Sequence, residues 1–244
     1  MPDKYKARKI IIEEKKVHTW TPQNTMGMIY GGSGCGKTTE LEKLEKKGLS
    51  VFIIDCDRGG QVGKNIAARS CFSYEDVCDT IYSLPVGKFD IISIDSIDIL
   101  CDTFIRSYFQ QKTGLDHPGD MQWGQGWDME KNMLKMLMGD LSKKKSHIIL
   151  IGHSSISEDK NNKNVVTPYL RGKLFDTIKN LCQYVIYIKM IGGERVPVIK
   201  NSQYCFAKDR TLQFPTNYPN INFGASGEFA LTDVFVKNFK KDTK

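Results

Sequence analysis

The chain has 244 residues, 40% apolar and 26% charged, with a formal net charge of +7. That length suits one large α/β domain with a small appendage, and that apolar share excludes a disordered chain. The charge alone does not imply nucleic acid: residues 1–16 hold six Lys/Arg against three acids, and residues 237–244 hold four Lys against one Asp. Basic tails of this kind are commonly solvated arms.

No run approaches the ~18 apolar residues of a membrane span, and Met1-Pro2-Asp3-Lys4-Tyr5 lacks the apolar segment of a signal peptide. The seven cysteines are scattered without a C-x-x-C pair. Reduced thiols and a cytoplasmic protein are therefore expected, with neither a disulfide framework nor a zinc site.

Residues 1–24 alternate charged and apolar pieces, and Lys9–Glu13 reads as an edge strand packing on the core. Met26–Tyr30 is an apolar run of strand length. Gly31-Gly32-Ser33-Gly34-Cys35-Gly36-Lys37-Thr38 then matches the phosphate-binding pattern G-x-x-x-x-G-K-[ST] without a mismatch, and Lys37–Lys47 reads as a helix ended by Gly48. Strand, Gly-rich turn and helix are the context this motif requires. Its glycines let backbone N–H groups turn inward round a phosphate chain, and the helix N-terminus adds donors and partial positive charge. Lys37 is placed to reach the β- and γ-phosphates, the Thr38 hydroxyl to ligate Mg²⁺, and Thr39 to close the cradle. The expected ligands are ATP and Mg²⁺.

Leu49–Asp55 has the pattern of a buried strand and ends in Asp55-Cys56-Asp57-Arg58-Gly59-Gly60, a turn with two carboxylates. Ser73 starts a helix as N-cap, with Asp76 completing a capping box, and Pro85 marks its end. Phe89–Asp95 is an apolar run ending in Asp, the form of a Walker B strand whose carboxylate holds Mg²⁺ opposite Thr38. A helix follows over 96–111. Residues 113–126 form a polar loop with Trp123, and Trp127 stands just beyond it; stacking on bases and anchoring the next helix are both open for this pair. Residues 128–142 read as a helix.

His147–His153 is a further strand, with His153 at the end where a parallel sheet presents its ligands. Residues 154–168 read as a long structureless loop, either functional or disordered, and Leu174–Leu181 as a helix. Three short strands, 184–190, 196–200 and 204–207, with turns at Gly192-Gly193 and Asn201-Ser202, suggest antiparallel hairpins. A final amphipathic helix carries Leu231, Val234, Phe235 and Phe239. Strands alternating with helices, then hairpins, give an α/β fold with a mainly parallel central sheet flanked by helices and extended by antiparallel C-terminal strands. Residues 1–24, 25–215 and 216–244 form the expected N-terminal segment, core and C-terminal extension.

The order of these features resembles the RecA-type P-loop ATPases, and within them the short, core-only phage proteins filed as AAA-family nucleotide-binding or Sak-type single-strand annealing proteins. The resemblance spans roughly residues 25–215 at the level of motifs. It implies that Asp57, with Asp55 as the alternative, orients the attacking water. It also makes Asp95-Ser96 a RecA-type Walker B, since Ser96 stands where other classes place a catalytic Glu. His153 falls where the family carries a γ-phosphate sensor. The 113–126 and 154–168 segments fall where it carries DNA-binding loops. Lys208-Asp209-Arg210 resembles the Lys-x-Arg segment through which Lys208 and Arg210 would reach the nucleotide of a neighbouring subunit. The implied partners are single-stranded DNA, further copies of the chain in a ring or filament, and a single-stranded DNA-binding protein. The implied setting is phage recombination in a host cytoplasm, with ATPase activity stimulated by DNA or oligomerisation. A nucleotide-dependent switch without DNA is the competing reading. A small-molecule kinase is disfavoured, because 154–168 contains no Arg for a lid.

Overall fold

The computed structural model describes residues 23, 25–57, 66–158, 163–211 and 214. The expected N-terminal edge strand, the Gly59-Gly60 turn and the C-terminal helix lie outside the described residues.

β1 (Met26–Gly31) leads into α1 (Lys37–Lys46), followed by β2 (Val51–Asp55), β3 (Ala67–Ser70), α2 (Tyr74–Ser83) and β4 (Ile91–Asp95). A continuous helical stretch comes next, made of α3 (Ile97–Ile99), a π-helical segment (Leu100–Ile105) and α4 (Arg106–Thr113). Then follow α5 (Gln125–Ser142), β5 (His147–Glu158), β6 (Asn164–Pro168), α6 (Gly172–Leu181), β7 (Tyr184–Ile191), β8 (Glu194–Val198) and the short β9 (Lys208–Asp209).

The sheet runs β3-β2-β4-β5-β1-β7-β8, with β6 beside β5 and β9 beside β7. Every pairing from β3 across to β7 is parallel; β6, β8 and β9 are antiparallel additions. The expected α/β architecture is therefore the one observed. β5 lies between the phosphate-loop strand and β4, and the register Gly31↔His153 with Asp95↔Ile151 brings the carboxyl ends of all three strands to one edge. A parallel sheet presents its ligand-binding groups at that edge.

Strand alternation divides the core between two faces. Met28, Tyr30, Ile54, Ile92 and Ile94 face α2, the 97–105 stretch, α5 and α6; Ile29, Ile53, Ile91, Ile149 and Ile151 face α1 through Leu41 and Leu44. On that second face Tyr184 is fully buried, its hydroxyl 2.8 Å from His147 Nε2. Its ring lies directly against Gly27, where a Cβ would overlap it. Gly27→Ala should therefore cost about 1–3 kcal/mol through overpacking. A denaturant midpoint equal to the native one would show that the ring has room to yield.

Three sequence expectations change, and one strand was not foreseen. β3 had no forecast, because all four of its residues are exposed and carry no apolar pattern. Residues 154–168 are not structureless: β5 runs on to Glu158 and pairs with β6 from Ser154↔Pro168 to Glu158↔Asn164, a two-stranded ribbon. Residues 204–207 supply only a single bridge, Val166↔Cys205, in place of a strand. The 113–126 loop holds two short 3-10 turns, Pro118–Asp120 and Gln122–Gly124.

Candidate functional site

The phosphate loop spans the gap between β1 and α1 at the carboxyl edge of the sheet. Gly34 and Gly36 have φ of 73° and 83°, the left-handed conformation that turns successive N–H groups inward. Gly31 is required for a different reason: a Cβ there would lie 2.7 Å from Cys35 Sγ and 2.8 Å from the Ile188 carbonyl. Gly32, Ser33 and Gly34 are exposed along the rim, Cys35 is buried beneath them, and Thr39 is half-buried on the first turn of α1. The Lys37 side chain folds back into the loop, where its ammonium donates to the carbonyls of Gly31 (3.2 Å) and Gly32 (2.9 Å). It is 7% exposed.

Below the loop the Thr38 hydroxyl donates to Asp95 Oδ2 at 2.6 Å. The two residues thus meet through the register of β1, β5 and β4. Burial pushes the Asp95 carboxyl above its usual range, Thr38 and Lys37 draw it back, and Asp57 and Asp55 push it up again. The ionised form thus carries a cost in the empty protein, one that grows as pH rises through the raised folded value. Asp95→Asn should therefore leave the empty protein at least as stable as the native one at neutral pH. A clearly lower unfolding midpoint would contradict this account of the charge.

These residues fit a nucleotide-bound Mg²⁺. One hydroxyl and one carboxylate already share a hydrogen bond, and two further carboxylates add negative charge nearby. The Oγ of fully buried Ser96, next to Asp95 across a cis peptide, has no hydrogen-bond partner, an orphaned polar atom of the kind that an incoming oxygen satisfies. Among the described residues no group of three His, Cys, Asp or Glu forms a metal cluster.

The two acids of the β2 turn differ. Asp55 is buried and already committed, accepting from the Asp57 backbone N–H (3.1 Å) and the Ser70 hydroxyl (3.2 Å). Asp57 is exposed at the strand end.

His153 stands beside Gly31 in the β1–β5 register, and its partner was not foreseen. Asp98, at the start of the helix after β4, accepts from the His153 backbone N–H at 3.0 Å and lies 2.8 Å from Nδ1. Gly152 permits this closeness, since a Cβ there would crowd Met28 (2.7 Å) and Ile97 (3.3 Å). The only sequence signal for Asp98 is an acid among buried apolar residues three positions after Asp95. The pair fixes the imidazole at the root of the β5–β6 ribbon.

Lys208 and Arg210 part company. The Lys208 ammonium donates to the carbonyls of Lys179 and Cys182 at the end of α6, and burial, then Arg210, lower its pKa. It is engaged within its own subunit. Arg210 is exposed.

Beyond the phosphate site, Trp123 is 92% exposed on the 113–126 loop, whereas Trp127 is in contact with the guanidinium groups of Arg106 and Arg171, each 5.7 Å from its ring. The anchoring role therefore fits Trp127 and the exposed role Trp123. Ile156 (72%) and Tyr169 are exposed on and just after the ribbon. Among the described residues no helix is long and apolar enough to cross a membrane.

No curated protein matches the chain. Among solved structures, the chain is similar to a crystal structure of the RadB recombinase, with a TM-score of 0.44 and 15% identity over 72% of this chain and 80% of that one. A family model described as an AAA domain matches residues 23–211, which include the phosphate loop, Asp95 and His153. The chain belongs to that AAA-domain family.

Proposed function

We propose that this protein binds ATP with Mg²⁺ in the phosphate loop, hydrolyses it, and uses the bound state to control its grip on single-stranded DNA. The observation that carries the nucleotide part is the 2.6 Å hydrogen bond from Thr38 to Asp95 beneath the loop. Gly31 to Thr39 surround the phosphates with backbone donors, and Lys37 turns from its loop carbonyls to the β- and γ-phosphates. Thr38 and Asp95 would hold a Mg²⁺ ion, which would supply charge neutralisation for the phosphate oxygens. Asp57 orients a water that attacks the γ-phosphorus, and the bond from that phosphorus to the β–γ bridging oxygen breaks. The exposure of Asp57 and the prior commitments of Asp55 favour Asp57 for this role.

His153, oriented by Asp98, senses the γ-phosphate and passes its state into the β5–β6 ribbon. Exposed Ile156 and Tyr169 there, and Trp123 on the 113–126 loop, offer surfaces on which bases stack or pack. In an oligomer Arg210 is better placed than Lys208 to contact a neighbour's nucleotide, because Lys208 caps α6. Annealing of single strands in phage DNA metabolism is the role this reading assigns.

The test is ATP turnover with and without single-stranded DNA, alongside binding titrated with salt. DNA-stimulated turnover and ATP-dependent, salt-sensitive binding are expected. Absence of both at low salt would leave the second reading, a nucleotide-driven assembly switch without DNA. The sparse cations of the ribbon region favour that second reading: Arg171 is already paired with Asp102 at 2.6 Å.

A further inference from the structure

The hairpin of β7 and β8 overhangs the phosphate loop. β7 runs parallel to β1 as far as Gly31↔Ile188 and then continues past the end of β1 to Ile191. Gly192 and Gly193, with φ of 57° and 84°, reverse the chain tightly, and β8 returns with Arg195 opposite Met190. This puts a cation at the height of the phosphate loop, reached from the other side of β1 than Asp95 and Asp57.

The Arg195 guanidinium rests on the loop itself. A Cβ on Gly36 would overlap it, lying 2.6 Å from Nη1 and 2.7 Å from Nε. Gly36 is the N-cap of α1, where the loop N–H groups cradle the α- and β-phosphates while the lysine reaches further out. Because position 36 has no side chain, nothing separates the guanidinium from that stretch of backbone. A second group marks the spot. Glu40, on the first turn of α1, is 2% exposed and its Oε2 has no hydrogen-bond partner, although Lys43 holds Oε1 at 2.9 Å. Burial pushes the Glu40 carboxyl up, and Lys43 and Arg195 draw it back.

We propose that Arg195 is a phosphate clamp acting within its own subunit, closing over Gly36 onto the α- and β-phosphates of the bound nucleotide, with the buried Glu40 carboxylate nearby supplying only opposite charge. Resting on the nucleotide-binding reading above, this assigns the β7–β8 hairpin a ligand of its own, a nucleoside diphosphate group. The clamp is distinct from any γ-phosphate contact supplied by a neighbour. Arg suits the position because its planar fork makes two parallel hydrogen bonds to phosphate oxygens. A clamp on the diphosphate also retains ADP, so release of product is slowed by the same contact.

The experiment measures equilibrium binding of ATP and ADP, with Mg²⁺, to the native protein and to Arg195→Gln, Arg195→Lys and Lys37→Ala. Arg195→Gln should lose about tenfold or more in affinity for ADP and ATP alike, as for a lost charge-assisted pair. Arg195→Lys should recover part of that loss, since it keeps the charge without the fork. Unfolding midpoints of the empty proteins separate a binding defect from a folding one, and where Arg195→Gln is destabilised the Lys variant decides. Unchanged ADP affinity in a folded Arg195→Gln protein would overturn the clamp, and so would a loss confined to ATP, which would put the cation on the γ-phosphate. Lys37→Ala binding as tightly as the native protein would overturn the phosphate-loop reading and the clamp with it.

Discussion

Lys37→Ala is expected to lower nucleotide affinity and ATP turnover by at least about a hundredfold, the scale of removing a preorganised cation or donor from a reacting centre. The ammonium is buried in the loop with two carbonyl partners, so it is held beside the site before any ligand arrives and has only to turn from them. The N–H groups at the N-terminus of α1 persist in the variant, which leaves weak residual phosphate binding. The empty protein should lose about 1–3 kcal/mol, because water can replace the donor at exposed Gly32 but not at buried Gly31. Calorimetric titration with ATP and a phosphate-release assay read the two effects. Turnover within a few-fold of native would remove the phosphate loop from the chemistry altogether.

Much of this site was legible because its chemistry is local. The glycine spacing, Lys37 and Thr38 sit within eight residues, and Asp95 ends an apolar run whose length marks a buried strand. The capping of α2 was readable for the same reason, with Ser73 accepting from the Asp76 N–H at 3.0 Å. Here the reciprocal arm differs in detail, since the Asp76 carboxylate takes the Phe72 N–H.

What escaped depends on register between distant segments. The β5–β6 ribbon pairs Ser154–Glu158 with Asn164–Pro168; apart from Ile156 its first strand is polar, so no apolar alternation announces it. Arg195 comes to Gly36 only through the pairing of β7 with β1, and Lys208 reaches α6 only because β9 adds to the start of β7. A basic pair after a strand reads the same whether it meets solvent, a neighbour or a helix end.

The largest stability effect is expected at Arg106. Glu130 on α5 is fully buried; Arg106 Nε meets its Oε1 at 2.6 Å, and Arg171 Nη2 lies 3.6 Å from Oε2. Burial pushes the Glu130 carboxyl up and Arg106 is the main group drawing it back. Removing one member of a buried pair strands the other, so Arg106→Ala should cost about 3–5 kcal/mol at neutral pH. The sign of its pH dependence follows from the shift. Because the folded value lies above the ordinary 4.5, the stability linked to Glu130 is fully present below 4.5 and is lost as pH rises through the folded value. Without Arg106 the folded value climbs further, so the deficit should be widest near neutrality and narrow on acidification towards 5. Denaturant unfolding at the two pH values reads this; an equal deficit at both would mean that lost packing, not a stranded charge, is responsible. Arg106→Met combined with Glu130→Leu should recover most of the loss, because apolar side chains of similar volume replace a buried pair at little cost. Arg106 and Arg171 both lie against Trp127, and Arg171 follows the ribbon that starts at His153.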